Sequence, residues 1–193
     1  MRVQYYTATS VDGFIADDHN SLDWLFQFGG SAEEVDRRYA EFLADVGALL
    51  MGSTTYAWIL DHDRLLDDPS RWPYAQPTWV LSSRELPALP GRDVRFARGP
   101  VADLLPEVEA AAEGKNLWVV GGGDVVGQFA DLGRLDDIFL AVAPVTLGSG
   151  APLLPRAITT PPLRLRELRQ VADFALLHYV VTHDTPVIPS PGG

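Results

Sequence analysis

The chain has 193 residues, 47% hydrophobic and 21% charged, a composition that fits one folded domain and excludes wholesale disorder and fibrous repeats. Its 15 Lys and Arg against 26 Asp and Glu leave a net charge of −11, which excludes nucleic acid or an anionic membrane surface as the principal partner. With no Cys, disulfide scaffolds, thiolate nucleophiles and Cys-ligated metal centres drop out, and without a targeting segment or an apolar run of roughly 18 residues the expected compartment is the cytoplasm.

In chain order, residues 3–8 are the first short, β-rich apolar run. Residues 32–44 predict a helix, because Val35, Tyr39, Phe42 and Leu43 recur at helical spacing behind Ser31 as N-cap and Glu34 as its capping-box partner. A strand at 48–51 runs through Gly52 into a second helix, and a proline-punctuated loop at 62–77 leads to a strand at 78–81. A helix at 101–113 and a strand at 117–120 follow, the strand ending in Gly121, Gly122 and Gly123 before a short helix that turns Val125, Val126 and Phe129 inward. A strand at 138–143 and a Gly- and Pro-rich loop at 144–162 precede runs at 163–171 and 174–182, which bend near Ala172 and read as an antiparallel hairpin. Strand alternating with helix implies an α/β fold, a mostly parallel central sheet with helices on its faces. The domain is expected over 1–183, and the tail 184–193, with three prolines and two glycines, is expected to be disordered.

Three strand ends carry the chemistry. The triple glycine offers backbone N–H groups and a helix N-terminus to an anion, or serves a tight turn; Asp124 opposes an anion there unless its carboxylate points away. At Gly52, the hydroxyls of Ser53, Thr54 and Thr55 either cap a helix or meet phosphate. After 78–81 come Ser82, Ser83 and Arg84, an ordinary turn or a third anion contact. Together they fit an extended dinucleotide lying across the carboxyl edge of the sheet. His19, His62, His178 and His183 have no metal-ligand spacing, so no metal is expected.

These motifs, in this order, resemble the dihydrofolate reductase-like fold. The segments Thr7 to Ala16, with Ser10-Val-Asp-Gly-Phe-Ile-Ala, and Leu140 to Leu154 resemble more closely the branch that holds the reductase domain of bacterial riboflavin biosynthesis, the RibD C-terminal domain, and its stand-alone relatives. The resemblance implies an NADPH-dependent reductase, with NADH the poorer cofactor, that transfers hydride to a small heteroaromatic or imine-bearing, pyrimidine- or pterin-like substrate. A non-catalytic nucleotide-binding regulatory or stress protein on the same fold is the alternative. It also implies a homodimer, since relatives commonly pair through the C-terminal part of the sheet.

By the same resemblance, Ala8, Ile15 and Ala16 would meet the nicotinamide. Gly52, Ser53, Thr54 and Thr55 would receive phosphate; Leu81, Ser82, Ser83 and Arg84 would lie on the adenosine side; and Gly122, Gly123, Asp124 and Val125 would form the pyrophosphate turn. Asp36 falls where dihydrofolate reductases carry their one carboxylate, with Asp23 and Asp12 as rivals and with Trp24, Tyr39 and Phe42 available to wall a flat ring. Ser53 replaces the basic residue often found after that first glycine. Arg84 is thereby expected to stand as the single strong cation for a 2′-phosphate.

Overall fold

Alternation along the strands sets the layers. Side chains of a strand point to opposite faces in turn, and in β3 (Val46–Gly52) Ala48 and Leu50 enter one apolar cluster while Leu49 and Met51 enter those of the other face, all fully buried. A strand apolar on both sides must be central, and burial of each leucine contributes roughly 1.5 to 3 kcal/mol. The computed structural model describes residues 1–28 and 33–183. The expected cap at Ser31 and the tail 184–193 lie outside these residues.

The main sheet joins β3 to β1 (Val3–Thr9), β4 (Thr78–Leu81), β5 (Val94–Ala97), β6 (Asn116–Gly121), β7 (Asp137–Val142), β9 (Arg164–Val171) and β10 (Phe174–Val180). Its order is β5-β4-β3-β6-β1-β7-β10-β9, parallel through β7 and antiparallel in the last two strands. This is the expected mostly parallel sheet with its terminal hairpin. Sequence reading misses β5, a four-residue edge strand in which Arg95 interrupts the apolar pattern, stacks over Trp79 at 4.5 Å and pairs with Asp93. It also misses a second small sheet, β2 (Phe14–Ala16) against β8 (Ala151–Pro152), and a single helical turn, α1 (Asp23–Phe26).

Helices α4 (Val101–Ala111) and α5 (Gly123–Asp131) cover one face, where Val101, Val108, Val126 and Phe129 pack on Leu50, Leu117 and Val119. Helices α2 (Glu33–Ala44) and α3 (Ser53–His62) cover the other. The loop at 62–77 buries Leu65 and Trp72 against α3, so it is a packing element. No helix among the described residues is long and apolar enough to cross a membrane.

Candidate functional site

Adjacent strands β3 and β6 feed α3 and α5, which leave on opposite faces because β3 connects outward to β4 and β6 connects across β1 to β7. This reversal opens a crevice at the carboxyl ends of the strands, the usual ligand position in an open α/β sheet. A cavity of about 640 Å³ occupies it.

Both helix N-termini face that cavity. Their cap residues are Gly52 and Gly122, so no side chain occupies the first backbone N–H groups of either helix. Ser53, Thr54 and Thr55 line the wall at α3, and Gly121 to Val125 line it at α5. At Gly123 the reason for glycine is contact: a Cβ would lie 2.3 Å from the Pro152 carbonyl oxygen. Gly121 has φ +152, and its peptide to Gly122 is cis.

Asp124 does not cap α5. Arg156 donates to its carboxylate at 3.0 Å and to Asp131 at 2.9 Å, holding both along the helix flank. Gly127 makes this possible, since a Cβ there would meet the Arg156 guanidinium carbon at 2.9 Å. The carboxylate that opposes an anion on sequence grounds is therefore paired with a cation.

The wall at the β1 end is knitted from two loops. Asp12 accepts from Ser10 Oγ at 2.6 Å and from the backbone N–H groups of Leu147 and Gly148 at 3.1 and 2.7 Å. These bonds, with Ser10 first, hold its carboxyl below the usual range despite some desolvation. Val11 N–H bonds Val145 O, Leu153 N–H bonds Gly13 O, and the buried Tyr5 donates to Leu153 O at 3.1 Å. Asp12 is thus a loop clasp.

At the opposite end, Ser82 is buried and its hydroxyl closes the turn, accepting from Arg84 N–H and donating to Arg84 O, each at 2.9 Å. That hydroxyl is committed, which corrects the expectation of two serine hydroxyls open to a phosphate. Ser83 stays exposed in the wall. Arg84 reaches the rim through Ser53 Oγ, 2.9 Å away. Arg98, directly after β5, lines the cavity and forms no ion pair among the described residues. Sequence reading missed it because it missed β5; once β5 is a strand, Arg98 belongs to the same carboxyl edge as Arg84.

One cavity therefore gathers Ile15, Ala16, Gly52, Ser53, Thr54, Thr55, Leu81, Ser82, Ser83, Gly122, Gly123, Asp124 and Val125. Ala8 lies outside the wall, and its neighbour Thr7 is in it. Asp36 and Asp23 are exposed and outside the wall. Trp24 is also outside, with a buried Nε1 that has no partner among the described residues. Tyr39 and Phe42 pack into the core with Trp118. Trp58, Leu22, Asn20 and Gln128 also line the wall, and Trp58, Asn20 and Gln128 carry no sequence motif. Among the described residues no group of three or more His, Cys, Asp or Glu could hold a metal.

The RibD C-terminal domain family matches residues 2–176. The uncharacterised Bacillus subtilis (strain 168) protein YwjB is 32% identical over 179 residues, 91% of this chain and 95% of its own. The chain is also similar to a candidate riboflavin biosynthesis protein from Shewanella sp. PV-4, at 27% identity and a TM-score of 0.76, covering 95% of this chain and 100% of that one. A diaminohydroxyphosphoribosylaminopyrimidine deaminase/5-amino-6-(5-phosphoribosylamino)uracil reductase from Thermotoga maritima shares the fold at 16% identity and a TM-score of 0.63, over 94% of this chain and 56% of that one.

Proposed function

The chain belongs to the RibD C-terminal domain family, and from that premise we propose that it is an NADPH-dependent reductase of a small heteroaromatic or imine-bearing substrate. The observation that carries the reading is one cavity across five parallel strand ends, with arginines after β4 and β5, two helix N-termini at its middle, and Thr7, Ile15 and Ala16 at β1. Strand spacing makes it roughly 19 Å long, the reach of an extended dinucleotide. In this reading Arg84, Arg98 and Ser83 hold the 2′-phosphate, and the N-termini of α3 and α5 hold the pyrophosphate. Ile15, Ala16 and the β1 end receive the nicotinamide.

When bound there, NADPH would supply hydride to the carbon of a C=N bond, whose π pair would move to nitrogen and take up a proton, the substrate being reduced as the cofactor is oxidised. Among the described residues the wall offers one carboxylate, Asp124, and Arg156 holds it at the α5 end. In this reading the proton comes from water at the β1 end, where the Thr7 hydroxyl oxygen lies in the wall. Calorimetric titration with NADPH, together with NADPH oxidation over a panel of pyrimidines, pterins and cyclic imines, tests the reading. Absence of NADPH and NADH binding overturns it; binding without turnover of any compound favours the nucleotide-binding regulatory alternative.

The homodimer is proposed on the C-terminal hairpin. Leu165 and Leu168 of β9 are 53% and 64% exposed and lie in register with Tyr179 and Leu177 of β10, an apolar strip suited to a second copy. Leu168→Glu should halve the mass seen in sedimentation, and an unchanged dimer would place the interface elsewhere.

A further inference from the structure

The cationic side chains at the cavity lie at one end, and its one described wall carboxylate, Asp124, is paired with Arg156 at α5. Among the described residues Arg98 is the one Lys or Arg in the wall, Arg84 touches its rim through Ser53, and both follow the outer strands β4 and β5. Ile15 and Asn20, on the segment that follows β1, line the same wall with Leu22 and Trp58, and all four are uncharged. No His belongs to the wall among the described residues, and residues 29–32 and 184–193 contain no Lys, Arg or His. His62 stacks its ring on Trp58 at 4.4 Å and on Phe26 at 4.9 Å, outside the wall.

Resting on the reductase reading, which puts the nicotinamide at the β1 end, we propose that the substrate stacked against it is an uncharged planar ring that carries no phosphate. A dianion there would leave water without a counter-charge, inside a protein of net charge −11. A neutral ring meets no such penalty and gains the Trp58 and Leu22 surfaces. Asn20 supplies the polar reader: a side-chain amide with donors and an acceptor, in the wall, with no hydrogen bond to any described residue. Its backbone, at φ +58 and with its N–H on Asp17 O, fixes where that amide begins.

The test is calorimetry on protein saturated with NADP⁺, titrated with 5-amino-6-(ribosylamino)uracil and, separately, with its 5-phosphate. The free form should bind about tenfold tighter or more, and Asn20→Arg, which supplies a cation on an exposed loop, should remove that difference. Equal or tighter binding of the phosphate form to the native protein overturns the proposal. Binding of NADP⁺ with neither uracil overturns the ring assignment alone, whereas failure of NADP⁺ to bind overturns the reductase reading on which it rests.

Discussion

Arg84 donates from Nη2 to Ser53 Oγ at 2.9 Å, bridging the end of β4 to the first turn of α3. In the proposed reading this guanidinium meets the 2′-phosphate, and Arg98 stands one strand further out. Arg84→Ala and Arg98→Ala should each weaken NADPH about tenfold, roughly 1.4 kcal/mol, and leave NADH within about twofold. Because both side chains are exposed, the difference should shrink as salt rises. Dissociation constants for both cofactors decide it, and equal losses for NADPH and NADH would take these residues off the 2′-phosphate.

The Arg156 to Asp124 pair yields a double-mutant test. Removing the guanidinium in Arg156→Ala leaves an uncompensated carboxylate in the first turn of α5, beside the proposed pyrophosphate site. NADPH affinity should fall about three- to tenfold, and Asp124→Asn in that background should restore it, since repulsion is then gone. A loss that Asp124→Asn fails to rescue would mean Arg156 acts by holding Pro155 and the wall instead.

Asp36 is the position where sequence resemblance and structure diverge most. It lies exposed on α2, beyond the cavity wall, so Asp36→Asn should leave the hydride-transfer rate within about threefold in single-turnover measurements. A hundredfold fall at unchanged NADPH affinity would restore it as the proton source.

What was legible in the sequence follows from how locally each feature is encoded. The glycine and hydroxyl turns at Gly52 and Gly122 are local: a strand, a glycine and a helix start within a few residues, and the structure brings them together. Trp58 and Asn20 were illegible because nothing near them in sequence records what they face. Trp58 points to the cavity only once α3 is laid on the sheet, and Asn20 only once the 10–22 loop is clasped by Asp12 to the backbone of Leu147 and Gly148. Arg98 was hidden by β5, whose edge position lets a charged residue replace an apolar one. Asp36 rests on resemblance in chain position, and chain position carries no information about whether α2 reaches the cavity, whose wall holds none of its residues.

At the other end of the sheet from the cavity, Asp137 ties three elements together. It is 3% exposed, accepts from Arg2 Nε and Nη2 at 2.7 and 2.9 Å and from Gln4 Nε2 at 3.1 Å, and meets His178 Nε2 at 2.9 Å. Burial alone would push its carboxyl up, but the hydrogen bonds from Arg2, His178 and Gln4 outweigh it and hold the carboxyl below the usual range. A carboxylate lowered in the folded state contributes stability that is present above the unfolded value of about 3.9 and lost as pH falls through the folded value. Asp137→Asn should therefore cost roughly 2 kcal/mol near neutral pH, less than a fully buried pair because Arg2 is half exposed. The gap between native and variant should stay level from pH 7 to about 5 and narrow below about 4. Urea unfolding of both proteins at pH 7, 5, 4 and 3 measures it, and a gap that persists undiminished at pH 3 would show that packing around Asp137, not its charge, holds this corner. NADPH affinity should be unchanged by the substitution, since Asp137 lies at the amino end of β7 and outside the cavity wall.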